Sequence, residues 1–94
     1  QIRTWPPVLE KRMGKTISFA WKPNTWYRLK LKVENMPDGK VRAQGKAWPA
    51  AEAEPAEWTI ERVDPIPNKT GSPGLYGDAP FEVYFDNLKV TWNR

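Results

Sequence analysis

The stretch Phe81-Glu82-Val83-Tyr84-Phe85-Asp86-Asn87-Leu88-Lys89-Val90-Thr91-Trp92 decides how this chain is read. Phe81, Val83 and Phe85 are apolar at every second position, the pattern of a strand with one buried face. Leu88, Val90 and Trp92 then carry the alternation on the other parity. Side chains alternate strictly along a strand, so this change requires one extra residue, and Asp86-Asn87 is where a β-bulge fits. A bulge re-aims side chains. Asp86 is therefore the residue to test as a ligand to a metal, the plainer reading being that it only bends the strand.

Working outward, the cleanest alternation lies over Trp26 to Glu34. Tyr27, Leu29, Leu31 and Val33 fall on one face, and Arg28, Lys30, Lys32 and Glu34 on the other. Met36-Pro37-Asp38-Gly39-Lys40 follows, with proline to fix φ and glycine to accept a positive φ. Val41 to Trp48 is then the partner strand of a hairpin. Its inward residues, Val41, Ala43, Gly45 and Ala47, are small, so something large must pack over them. Further strands are expected over Gln1 to Trp5, Thr16 to Trp21, Trp58 to Val63 and at Leu75-Tyr76. Pro6-Pro7, Gly14, Lys22-Pro23-Asn24 and the proline-rich run from Asp64 to Gly74 separate them. Ala50 to Glu54 has room for one helical turn between prolines. The expectation is an all-β antiparallel sandwich of about six strands, in which an uncovered sheet face would need a partner.

Composition bounds the chemistry. The chain has 94 residues, a size suited to one small domain. It has neither cysteine nor histidine, so thiol chemistry and the commonest general base and transition-metal ligand are excluded. The net charge of +4 is mildly basic, and no run is apolar enough to span a membrane. Arg28, Lys30 and Lys32 with Lys40, Arg42 and Lys46 would form one basic face of the hairpin, open to an anionic ligand or simply solvated. No aromatic residues interleave with them, so a nucleic-acid-binding barrel fits least.

Six tryptophans is a high number for this length. Trp21 and Trp92 follow the apolar parity of their strands; Trp5, Trp26 and Trp48 do not. Exposed aromatic rings stack on sugar rings as they do on bases, whereas buried ones would cover a thin core. The carboxylates Glu52, Glu54 and Glu57 share a loop, while Glu61, Asp78, Glu82 and Asp86 are scattered. None forms the closely spaced pair that glycoside hydrolysis uses.

Trp26-Tyr27-Arg28-Leu29-Lys30-Leu31 followed by Asp38-Gly39 resembles the W-Y-x-h-x-h…D-G hairpin of concanavalin A-like lectin/glucanase domains, where h is an apolar residue. Gly71-Ser72-Pro73-Gly74-Leu75-Tyr76, then Val83-Tyr84-Phe85-Asp86-Asn87-Leu88-Lys89-Val90, is similar to their closing G-x-x-G-L…h-x-F-D-N-h-x-V. The chain looks closest to the laminin G-like and 3-keto-disaccharide hydrolase-like jelly rolls of bacterial secreted proteins, and matches their later half. The resemblance implies a jelly-roll β-sandwich over residues 1–94, whole or as a C-terminal half completed by its N-terminal half or by a second copy in a homodimer. It implies a lectin-like, non-catalytic module handling glycans outside the cytoplasm, extracellular or periplasmic. It also implies a structural calcium at Asp86. The stacking platform would be Trp26, Trp48 and Trp58 with Tyr76. The glucanase E-x-D-x-E strand is absent, which counts against catalysis in this chain. Two alternatives stay open: a fragment of a sugar-active glycoside hydrolase-like enzyme, and a structural domain that self-assembles.

Overall fold

A computed structural model describes residues 1–3, 14–66, 70–77 and 82–92. Three strands, β1 (Tyr27–Asn35), β2 (Val41–Pro49) and β3 (Ile60–Asp64), form one antiparallel sheet in the order β1-β2-β3. No helix occurs among the described residues, and none there is long and apolar enough to cross a membrane. The architecture is all-β, as the alternation of Tyr27 to Val33 against Val41 to Ala47 requires.

The hairpin closes where proline and glycine were expected to turn the chain. Gly39 takes φ 85°, Met36 N donates to Lys40 O at 2.9 Å, and Lys40 N donates to Asp38 Oδ1 at 3.0 Å. The resulting register sets Leu29 against Ala47, Leu31 against Gly45 and Val33 against Ala43. Beyond β2, Gly45 faces Ile60 and Gln44 faces Glu61. One face of the sheet thus carries Leu29, Leu31, Val33, Ala43, Gly45, Ala47 and Ile60. The other carries Arg28, Lys30, Lys32, Glu34, Arg42, Gln44, Lys46 and Trp48. β3 ends where Asp64 Oδ1 accepts from Ile66 N at 2.9 Å, with Pro65 between them.

Burial follows the middle strand, not the apolar face. Val41, Gln44, Gly45, Lys46 and Trp48 of β2 are buried, while Leu29 and Leu31 remain 51% and 45% exposed. The large group expected over the small residues of β2 is in part Ile2. A Cβ built at Gly45 would lie 3.6 Å from Ile2 Cδ1 and 3.1 Å from Ile60 Cγ2. Ile2 is held there by a two-bond bridge to Lys15, 2.9 and 2.8 Å long.

The other expected strands form no ladder among the described residues. Thr16 to Trp21 has no partner strand; instead Trp21 N bonds Phe19 O at 2.9 Å, and Phe19, Trp21 and Tyr27 stack at ring-centroid distances of 4.5 and 4.6 Å. Leu75-Tyr76 and residues 82–92 likewise form no ladder among the described residues, and Val83, Phe85, Leu88 and Val90 are exposed. A bulge needs a ladder to interrupt, and among the described residues none runs through Asp86-Asn87. Asn87 instead adopts φ 56°, and Asp86 Oδ1 accepts from Asn87 N at 2.8 Å. The expected strand through Trp5, the Pro6-Pro7 stop, the turn at Asp78-Ala79-Pro80 and Phe81 lie outside the described residues.

Gly39→Ala forces a Cβ into the left-handed region and should cost about 1–2 kcal/mol. Urea titration should show a lower midpoint with an unchanged slope.

Candidate functional site

The charged face of the sheet is covered by the chain that leaves β2. Glu52 N bonds Pro49 O at 3.0 Å, closing a tight turn over residues 49–52 in place of the helical turn expected at Ala50 to Glu54, and the loop then folds back across Lys46. Lys46 Nζ donates to Pro55 O at 2.7 Å and lies 2.8 Å from Glu54 Oε2. It also sits 4.8 Å from the Trp58 ring centroid and 5.9 Å from that of Trp48. An ammonium removed from water needs such compensation, and here a carboxylate, a carbonyl and two ring faces supply it. Lys30 joins Glu54 from β1 at 3.2 Å. The Lys46 and Lys30 ammonium groups hold the Glu54 carboxyl below its ordinary range.

This arrangement alters the expected platform. Trp48 does project on the charged face but is only 8% exposed, and Trp58 is half-buried. Trp48 and Trp58 enclose a lysine of their own chain, so the expectation of open stacking faces at these two residues is corrected. The physical reason is the loop of residues 50–58, whose return over the sheet depends on ion pairing that alternation does not encode. The basic face is changed in the same way. Glu34 accepts from Arg42 Nε at 2.6 Å and lies 3.7 Å from Lys32, and the Arg42 guanidinium lowers its pKa. Gln44 Nε2 donates to Glu61 at 2.9 Å. Lys30, Lys32, Arg42 and Lys46 are therefore all paired with carboxylates, Lys30 in an exposed pair and Lys46 in an enclosed one.

Trp26 is different. It stands at the entrance to β1, 61% exposed, with its carbonyl anchored by Ala50 N at 2.8 Å. The turn before it is fixed by Asn24 at φ 51° and by Thr25 Oγ1 donating to Pro23 O at 3.0 Å. The next residue, Tyr27, packs with Phe19 and Trp21, and Lys22 N donates to the Tyr27 hydroxyl at 2.8 Å. Asn24, Thr25 and Trp26, with Glu82, Val83 and Tyr84, line an open cleft of about 450 Å³. Tyr84 is exposed, and its hydroxyl donates to Glu82, which raises the Tyr84 pKa. The cleft offers two aromatic faces, a carboxylate, an amide and a hydroxyl within one shallow surface.

The remaining expected residues lie apart from this cleft's lining. Tyr76 is exposed and donates to the Gln1 side chain. Asp86 lines a second depression, of about 430 Å³, with Leu75, Phe85, Asn87 and Leu88. No group of three or more acidic side chains that could hold a metal occurs among the described residues. Glu82, Tyr84, Asn24 and Thr25 were not singled out by alternation. The one signal for them was the turn cluster Lys22-Pro23-Asn24 placed just before an outward tryptophan.

No family model matches this chain, and no curated protein or solved structure is significantly similar to it.

Removing the Glu54 charge should loosen the loop in a pH-dependent way. Its carboxyl titrates below the ordinary 4.5, so its contribution is whole above that pH and is lost as pH falls through the folded value. The difference in Tm between the parent chain and Glu54→Gln should be constant from neutral pH down to the ordinary carboxylate range and close as pH falls below it. A difference that does not change with pH would refute the tie.

Proposed function

We propose that this chain is a non-catalytic, lectin-like carbohydrate-binding module of a secreted or periplasmic bacterial protein, and that it binds glycan at the Trp26–Tyr84 cleft. The observation that carries the reading is the make-up of that cleft: exposed aromatic rings beside Glu82, Asn24 and Thr25. Apolar C–H faces of a pyranose stack on indole and phenol rings, while carboxylate and amide oxygens accept from its hydroxyls. Among the described residues the cleft lining holds one carboxylate, Glu82, where glycosidases place two. That supports binding over hydrolysis. The resemblance to concanavalin A-like closing and hairpin motifs supports the same reading. It extends the three-stranded sheet to a jelly-roll sandwich in which residues 16–21 and 82–92 become strands and Asp86 binds calcium.

A second reading, a structural domain that self-associates, is favoured by one observation. Leu88 and Val90 are 74% and 65% exposed, and the apolar face of β1 is half open. A homodimer covering these residues would show a mass that rises with concentration in light scattering.

Glycan-array screening followed by titration calorimetry tests the binding reading. Trp26→Ala and Tyr84→Ala should each weaken the best glycan at least about tenfold, or about 1.4 kcal/mol. Trp58→Phe, outside the cleft, should leave affinity unchanged. Absence of any glycan ligand, or undiminished binding by Trp26→Ala, would sink the proposal.

A further inference from the structure

The outer edge of β1 is a second surface, independent of the cleft. Trp26 O accepts from Ala50 N at one end of the hairpin, and Met36 N donates to Lys40 O at the other. In an antiparallel pair the residues bonded across the ladder alternate with those facing away. The even-numbered residues of β1 therefore bond β2, and the backbone groups of Leu29 and Leu31 point outward. β1 is the end strand of the sheet, and among the described residues nothing pairs with it between Arg28 and Lys32. This stretch contains no proline or glycine. On the far side of the sheet, the five residues of β3 form a ladder with β2. A segment of similar length is therefore enough to extend this sheet.

Side chains along the edge define what fits. Leu29 and Leu31 present half-exposed apolar groups on one face, and Arg28, Lys30 and Lys32 present cations on the other. Pairing of β1 with β1 of a second copy would set these cations against one another and is disfavoured. A strand with carboxylates at alternate positions and apolar residues between them matches both faces. The ion pair that Lys30 already makes to Glu54 is solvent-exposed and readily exchanged, while that of Lys32 to Glu34 is partly buried. We infer that the Arg28–Lys32 edge of β1 is a β-augmentation site for an extended acidic–apolar peptide of another protein.

The probe is a synthetic Glu-Val-Glu-Tyr-Glu-Val-Glu peptide, with its lysine-for-glutamate counterpart as control, added to the isotopically labelled chain. The acidic peptide should shift and protect the amides of Leu29 and Leu31, and its affinity should fall at least about tenfold from low to moderate salt. The lysine peptide should leave those amides in place. Arg28→Glu combined with Lys32→Glu should exchange the preference between the two peptides, a gain that simple unfolding does not mimic. Three results would overturn the inference: equal response to both peptides, shifts confined to β3 or to the Trp26 cleft, or no response at all. A doubled mass without peptide, with the Leu29 and Leu31 amides already protected, would assign the edge to a second copy instead.

Discussion

The register of β1 on β2, fixed at the turn of residues 36–40, is the constraint on which the rest depends. With Gly39 in a conformation that other residues resist, Leu31 meets Gly45 and Arg28 meets Trp48, and every side chain of the hairpin is assigned to a face. A slip of one residue would move Lys46 to the apolar side and separate it from Glu54, Pro55 and Trp58. The loop after β2 would then lose its anchor. Ala50, at the start of that loop, would no longer hold the carbonyl of Trp26. The cleft at Trp26 and the enclosed lysine are thus coupled through one backbone bond and one register.

Within the sheet, the apolar face did not become the buried face. β2 has neighbours on both edges, and its charged side is covered by residues 50–58. Among the described residues β1 has a neighbouring strand on one edge only, and Leu29 and Leu31 stay half exposed although they follow the apolar parity. A lysine is the most buried side chain on the face expected to be solvated. Its long stem packs between rings while its charged end finds oxygen.

The parts of this molecule that could be read from sequence are those set by neighbours along the chain. Tyr27 to Val33 alternate with cations, Pro37-Asp38-Gly39 mark a turn, and the small residues of β2 ask for a large one above them. Each is a local statement; the first two are found in the structure, and the third is met at Gly45 by Ile2. The enclosure of Lys46 was not legible, because it joins β2 to a carbonyl nine residues on and to a carboxylate shared with β1. Residues 82–92 taught the converse. Their alternation is as regular as that of β1 on either side of Asn87, but alternation specifies only which side chains share a face. It does not supply the strand on which that face would rest. The Trp26 cleft shows the same limit: Glu82 and Tyr84 join Asn24 and Thr25 from more than fifty residues away in the chain.

Lys46 also determines how a protease would meet this chain. Trypsin must draw an extended segment and the full lysine stem into its own cleft. The Lys46 side chain is 5% exposed, and its backbone lies in the central strand, paired with Lys30 of β1. Lys89 is exposed in a segment that forms no β-ladder among the described residues. Lys89 is therefore cut well before Lys46.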